Sequence, residues 1–337
     1  METTGKTYDP RFTEIYHELI TILETQNKQD SLQQFKAYFH PYIEQRSMTE
    51  RGKKECLESQ IILRKMLEET YAYGPIYEFY YTWKAPVLER RSATGQTEMT
   101  VREINALKLG FSWVKDYDTV VECGSGEASL GLIMAQYNKK WVATDVYIPG
   151  GISGLMKSFN TPEDKFEYII SDASKMDNIA PESVDVIISQ SLFEHFLLHD
   201  AIAHIKNAYD RLKDGGKLII AVPSSIGPAA DITRQFPQYD KPVGFHIKEY
   251  NAKDMYELLK AQGFKKVRFK MLRSKRLGKM SAKVQMLNYV PYAIMRPCEL
   301  FALALYWPFR KNMTYRKIWM KVFYKLGFAS TMVLATK

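Results

Sequence analysis

Cysteine is scarce in this chain, with three residues, Cys56, Cys123 and Cys298, among 337. They are far apart, odd in number and without C-x-x-C spacing, which argues against a disulfide framework and against a zinc site and leads us to expect a reducing, cytoplasmic setting. No stretch approaches 18 uncharged apolar residues, so no membrane-spanning helix is expected. The polar start, Met1 to Thr7, lacks the apolar run of a signal peptide. Acid is nearly missing from one end: Leu258 to Lys337 holds 18 Lys or Arg and a single acid, Glu299, whereas the first 257 residues hold 29 bases and 37 acids. The net charge of +9 thus sums an acidic body and a basic end. Such asymmetry suits an anionic partner, nucleic acid or a lipid surface, and also occurs as a merely solvated basic face.

What is present centres on Val120-Val121-Glu122-Cys123-Gly124-Ser125-Gly126-Glu127-Ala128-Ser129-Leu130. Thr119 to Val121 reads as a buried strand and Ala128 to Tyr137 has helical spacing, so the glycines occupy a strand-to-helix turn. Gly124 and Gly126 can adopt positive φ, letting backbone N–H groups approach a polar ligand. A dinucleotide fingerprint would need a third glycine at 129, where the chain has Ser129. Glu122, two residues before Gly124, favours a ligand bearing an ammonium group over a pyrophosphate, which it would repel.

This E-x-G-x-G resembles the first motif of class I S-adenosylmethionine-dependent methyltransferases of the methyltransferase type 11 kind, with Ala128 standing where the family has a third glycine. Further motifs follow in the family's order. Lys140 to Thr144 reads as a second strand ending in Asp145, Phe166 to Ile170 as a third leading into Ser171-Asp172-Ala173, and Val184 to Ser189 as a fourth leading into Glu194-His195. A helix, the turn Lys213-Asp214-Gly215-Gly216 and a fifth strand, Lys217 to Val222, come next. The resemblance spans about residues 100 to 272 and the last strand. It implies S-adenosyl-L-methionine as methyl donor, bound by Glu122, Gly124, Gly126, Asp145 at the ribose hydroxyls, Asp172 and Ala173 at the adenine, and Ser189. It also implies a Rossmann-like, doubly wound α/β fold: a seven-stranded sheet, parallel with one antiparallel edge strand, here with an N-terminal helical region and a helical insertion before the last strand.

The domain boundaries expected are 1–97 for the N-terminal helical region, 98–272 for the donor-binding core, 273–327 for the insertion and 328–337 for the final strand, with Ser92 to Thr97 as linker. Phe12, Ile15, Tyr16, Leu19, Ile20 and Leu23 form one helical stripe, and Ile61, Ile62, Lys65, Met66 and Glu69 mark another. Asp30-Ser31 and Ser47 to Thr49 read as caps or turns. Tyr71, Tyr73, Tyr77, Tyr80 and Tyr81 either line an acceptor pocket or pack between helices. The loop Tyr147 to Gly154 is rich in turn formers and suits a movable cover.

The sulfonium methyl is already activated, so the protein must align an acceptor and, for an oxygen acceptor, remove a proton. His195 and His246 are the candidate bases. His195 and His199 lie at i, i+4 beside Glu194, but the order is not H-E-x-x-H and no third ligand is evident, so no metal is expected. In the insertion, Arg273, Lys275, Arg276, Lys279 and Lys283 precede Tyr289, Tyr292, Phe301, Leu303, Leu305, Tyr306, Trp307 and Phe309. Arg310, Lys311, Arg316, Lys317, Trp319, Lys321, Phe323, Tyr324 and Lys325 follow. Bases among aromatics fit an in-plane helix at an anionic membrane, single-stranded nucleic acid, or a buried lid or dimer face. The expected function is O-methylation of a small-molecule, lipid or lipid-linked glycan acceptor at the inner membrane surface. An RNA methyltransferase is the alternative, though Ser189-Gln190-Ser191-Leu192 is unlike the Asn-Pro-Pro-Tyr type motif of amino-methylating nucleic-acid enzymes. A donor-binding pseudoenzyme is disfavoured by the intact acids.

Overall fold

The computed structural model describes residues 10–45, 53–80, 82–83, 112–147, 152–271, 282–326, 328 and 330–337. The expected linker 92–97, Ser47 to Thr49, Tyr81, loop residues 148–151 and the bases at 273, 275, 276 and 279 lie outside them.

Two compact units are formed. The first comprises the N-terminal helices with Asp231–Gln235 and Val243–Phe245. It holds α1 (Pro10–Thr25), α2 (Gln29–Gln45), α3 (Lys53–Thr70) and further helical residues 73–80. Phe12, Ile15, Tyr16, Leu19 and Leu23 are buried, as the stripe predicts. The turn between α1 and α2 is made by Asn27 at φ 54, so Asp30 and Ser31 fall inside the first turn of α2 instead of between helices. The buried face of α3 is also displaced from the expected stripe: Ile61 is exposed, whereas Leu57, Gln60, Leu63, Met66, Leu67 and Thr70 are buried. Gln60 goes inside because it donates to Tyr80 Oη (2.7 Å) and accepts from the Phe245 N–H (3.1 Å). Tyr77 and Tyr80 both lie against the Phe245 ring. Tyr71 is exposed.

The second unit carries one sheet. Its strands are β1 (Thr119–Cys123), β2 (Lys140–Asp145), β3 (Phe166–Ile170), β4 (Val184–Gln190), β5 (Leu212–Pro223), β6 (Lys266–Lys270), β7 (Tyr289–Pro291) and β8 (Ser330–Thr336). The order is β3-β2-β1-β4-β5-β8-β6-β7, with β3 to β5 parallel and β8 antiparallel to both β5 and β6. This is the Rossmann-like sheet expected, with two corrections. It has eight strands, because Tyr289–Pro291 pairs antiparallel with β6 and occupies the edge. Val290 suits a strand, Tyr289 is buried, and Pro291, which donates no N–H, sits where an edge tolerates it. The antiparallel β8 is internal, because β5 pairs on one side of it and β6 on the other. Between Leu212 and Lys217 the ladder skips the Lys213-Asp214-Gly215-Gly216 turn, where Gly215 takes φ +75.

Helices of this unit are α4 (Ser129–Met134), α5 (Ile152–Phe159), α6 (Leu198–Arg211), α7 (Ala252–Ala261), α8 (Ala282–Leu287), α9 (Tyr292–Tyr306) and α10 (Met313–Lys325). α4 is shorter than its spacing predicts, since Asn138 donates to the carbonyls of Val114 (2.9 Å) and Tyr117 (2.5 Å) and draws the chain toward β1. The insertion is docked from several sides. Trp319 of α10 is buried, and a Cβ at Gly227 would run into its ring. Glu299 of α9, the lone acid of the basic end, is 1% exposed and accepts from the Ala252 N–H at 2.8 Å, capping α7.

Candidate active site

The strands β1 to β4 end level. Cys123 lies opposite Thr144 and Ser189, and Asp145 opposite Ile170, so the residues that follow gather at one rim. Thr144 O accepts from the Ser125 N–H (3.0 Å) and Asp145 O from the Ser171 N–H (2.8 Å), extending the alignment into the loops. This is where open parallel sheets take ligands.

The glycine turn is left-handed at three positions: Gly124 (φ +64), Gly126 (φ +53) and Ala128 (φ 49, ψ 30). The third explains the family's glycine, because Ala128 holds a conformation that costs an L-residue roughly 1 kcal/mol or more. A Cβ at Gly126 would meet nothing within 4 Å, so the rim is open there. Asp145 is tied to this turn. Its carboxylate accepts from the N–H groups of Gly126 and Val146, both at 2.8 Å. Burial raises its pKa, and those N–H groups pull it back. Tyr168 donates to Gly126 O at 2.7 Å.

Glu122 is buried. Its Oε2 accepts from the Gly131 N–H (3.1 Å) and from Trp141 Nε1 (3.2 Å), joining β1 to α4 and β2. Burial pushes its pKa up to about 8 against both hydrogen bonds. The contact demands glycine at 131, since a Cβ there would overlap the Trp141 indole nitrogen. Asp172 closes its own turn: Oδ1 accepts from the Ser174 N–H (2.8 Å) and hydroxyl (2.7 Å), and Oδ2 pairs with Lys175 at 3.2 Å.

His204 of α6 escaped the sequence reading. It is fully buried, with Nδ1 2.8 Å from Ala173 O and Nε2 2.7 Å from Ser189 Oγ. A carbonyl only accepts, so Nδ1 carries the proton and Ser189 donates to Nε2. Burial pushes the pKa down to about 4. Neutral His204 thereby links Ala173 to Ser189. The available signal was its place among Ala201, Ile205 and Ala208, as the one polar residue on the buried face of α6.

A second cluster lies beyond β4. Phe193–His195 form a 3-10 turn, and Phe196 is extended with ψ 141, so His195 and His199 do not share a helical face. His199 pairs with Asp200 instead. The neighbour of His195 is His246, with rings 5.1 Å apart at 82°. The two segments are held together by Glu194 O, which accepts from the N–H groups of Ile247 (2.7 Å) and Lys248 (3.2 Å). His246 Nδ1 is 2.9 Å from Glu249 Oε1, which also accepts from the Ala230 N–H at 2.7 Å. One ligand atom from each of Glu194, His195 and His246 falls within 4.8 Å of the others. These three groups, His246 reaching the other two from a distant loop, could hold a metal ion. Glu249 is the other residue that the sequence reading did not single out.

The insertion divides its aromatics. Tyr289, Tyr306 and Trp319 are buried, and Arg316 is buried with Tyr239 O (2.8 Å) and Asp240 (3.9 Å), so these residues hold the fold. Outward on α9 are Ala293, Ile294, Pro297, Leu300, Phe301, Ala304 and Leu305, followed by Trp307, Pro308 and Phe309. That face carries no charge. Exposed Lys283, Lys317 and Lys321 lie on α8 and α10. Among the described residues no helix is long and apolar enough to cross a membrane.

A family model described as a methyltransferase domain matches residues 87–268, more than half of the chain. No curated protein sequence gives a match. Similar solved structures include an S-adenosylmethionine-dependent methyltransferase from Archaeoglobus fulgidus (16% identity, 66% of this chain and 87% of that chain, TM-score 0.40). Another is the 1,6-didemethyltoxoflavin-N1-methyltransferase of Burkholderia thailandensis with bound S-adenosylhomocysteine (14% identity, 79% and 88%, TM-score 0.47). A third is phosphoethanolamine N-methyltransferase 2 of Haemonchus contortus with S-adenosyl-L-methionine (17% identity, 65% and 48%, TM-score 0.40). With the E-x-G-x-G turn at the rim of a 3-2-1-4-5 parallel sheet and a family model across the core, the chain belongs to the methyltransferase domain family and is a class I enzyme that uses S-adenosyl-L-methionine as methyl donor.

Proposed function

We propose that this enzyme methylates an oxygen of a small-molecule, lipid or lipid-linked glycan acceptor at an anionic membrane surface, from the cytoplasmic side. The donor would lie across the ends of β1, β2, β3 and β4. Gly124 and Gly126 would cradle its amino-acid end, with buried Glu122 setting the turn behind it through Gly131 and Trp141. Asp145 would face the ribose, and Asp172, Ala173 and Ser189 the adenine side. Residues 98–272 with 328–337 would constitute this donor-binding core, apart from the helical region 1–97. The acceptor oxygen attacks the methyl carbon, the carbon–sulfur bond breaks, and its electrons return to sulfur as neutral adenosylhomocysteine. The hydroxyl proton leaves toward the His195–His246 pair.

The membrane assignment is carried by the outward face of α9. Ile294, Leu300, Phe301, Leu305, Trp307 and Phe309 are between 42% and 67% exposed, an apolar stripe that water disfavours and an interface accepts. A lysine held near an anionic surface adds about 1 kcal/mol, and Lys283, Lys317 and Lys321 of the neighbouring helices are exposed. Co-sedimentation with phosphatidylcholine vesicles, with and without phosphatidylserine, tests this assignment: binding is expected with the anionic lipid, and absence of binding to both removes it. Label from methyl-labelled donor incubated with host extract should enter the lipid or small-molecule fraction. Label in RNA instead would transfer the assignment to an RNA methyltransferase.

A further inference from the structure

We propose that Glu194, His195 and His246 bind one divalent first-row transition-metal ion, of the zinc, iron(II) or manganese(II) kind. Two imidazoles and one carboxylate are a donor set matched to such borderline cations, and three protein ligands leave coordination positions open.

Four observations converge on the cluster. The ligand atoms already lie within 4.8 Å of one another. A cation about 2.1 Å from each needs them roughly 3 to 3.5 Å apart, so closure asks for about an ångström of side-chain movement. Next, Glu194 is 1% exposed and its Oε2 has no hydrogen-bond donor among the described residues. A carboxylate oxygen removed from water without a partner is costly, and a cation is the partner that removes the cost. Third, His246 turns Nδ1 to Glu249, which is itself held by the Ala230 N–H. A carboxylate on one ring nitrogen fixes the tautomer and leaves the other nitrogen with its lone pair for a metal. Finally, the two segments are clamped through Glu194 O, so the set is organised by backbone and not by loose side chains.

The use of such an ion rests on the O-methylation reading, whereas its binding does not. An acceptor hydroxyl in an open position would lose its proton to water more readily, and its oxygen would then attack the methyl carbon as above. With the ion bound, His195 and His246 would serve as ligands, and water would take the proton in their place.

The experiment is metal analysis of the protein as purified, followed by calorimetric titration of the chelator-treated full chain with zinc(II), manganese(II) and cobalt(II), and a visible spectrum of the cobalt form. One equivalent is expected. His195→Ala and His246→Ala should each weaken binding at least a hundredfold, and Glu249→Gln roughly tenfold. His199→Ala, outside the cluster, should bind as the parent does. Glu194→Gln keeps the shape of the side chain and should also lose the ion, which covers the case in which an alanine variant fails to fold. Absence of stoichiometric binding, or equal binding by the His195→Ala/His246→Ala double variant, overturns the proposal. Titration with adenosylhomocysteine separates the two readings: metal bound without heat from this ligand would sink donor binding alone, and the reverse would sink the metal site alone.

Discussion

His204 Nε2 lies 2.7 Å from Ser189 Oγ while its Nδ1 meets Ala173 O, so one buried imidazole joins the end of β4 to the loop after β3. His204→Phe would deprive the buried Ser189 hydroxyl and Ala173 carbonyl of their bonds to the ring, a cost of about 1 to 3 kcal/mol. The urea midpoint should fall accordingly, and adenosylhomocysteine should bind more weakly. The ring is held neutral, with its pKa down at about 4. A depressed histidine contributes its stability fully above the unfolded value of about 6.5 and loses it as pH falls toward 4. Imidazole NMR resonances of a still neutral His204 at pH 5 would verify this.

Glu122 gives the opposite slope. Its pKa, pushed up to about 8 from 4.5, lies above the unfolded value, so its contribution is complete below about 4.5 and is lost as pH rises toward 8. Glu122→Gln keeps an oxygen for the Gly131 and Trp141 donors and has no proton to lose. Melting temperatures of the two proteins, compared from pH 5 to pH 9, should show a flatter dependence for the variant.

Ala128 and Gly131 should respond in opposite directions to single-residue changes. Ala128→Gly relieves left-handed strain at the price of a freer unfolded chain, for a net gain of about 0.5 kcal/mol. Gly131→Ala pushes a methyl into Trp141 and should cost about 1 to 3 kcal/mol, as overpacking does. Chemical denaturation of both variants measures the pair of effects.

Phe301 is 67% exposed and Leu305 is 42% exposed, so replacing both with Glu should change folding stability by well under 1 kcal/mol. Binding to anionic vesicles should drop at least tenfold, with donor affinity unchanged. Retained vesicle binding would show that the face of α9 is not the contact.

Much of the donor half was legible because its signals are local. Glycines between a β-branched run and a helix, acids at successive strand ends, and a Gly-Gly turn before the fifth strand each follow from backbone requirements within a few residues, and the parallel order follows from their succession. The face of α3 and the burial of Trp319 were not, because a period of 3.6 marks a stripe without saying which polar group will find a partner inside. Gln60 and Arg316 did find partners, and Ile61 remained outside.

By itself the sequence determined the strand-turn-helix cradle, the class of donor and the concentration of positive charge at one end, since these depend on residue type and short spacing. Only the tertiary structure decided that Glu122 and His204 are interior struts, that Tyr289–Pro291 closes the sheet edge, and that His246 meets Glu194 and His195. Those outcomes depend on contacts between residues as far apart in sequence as Glu194 and His246, 52 positions, whose closeness is set by packing and burial, and no local spacing encodes them.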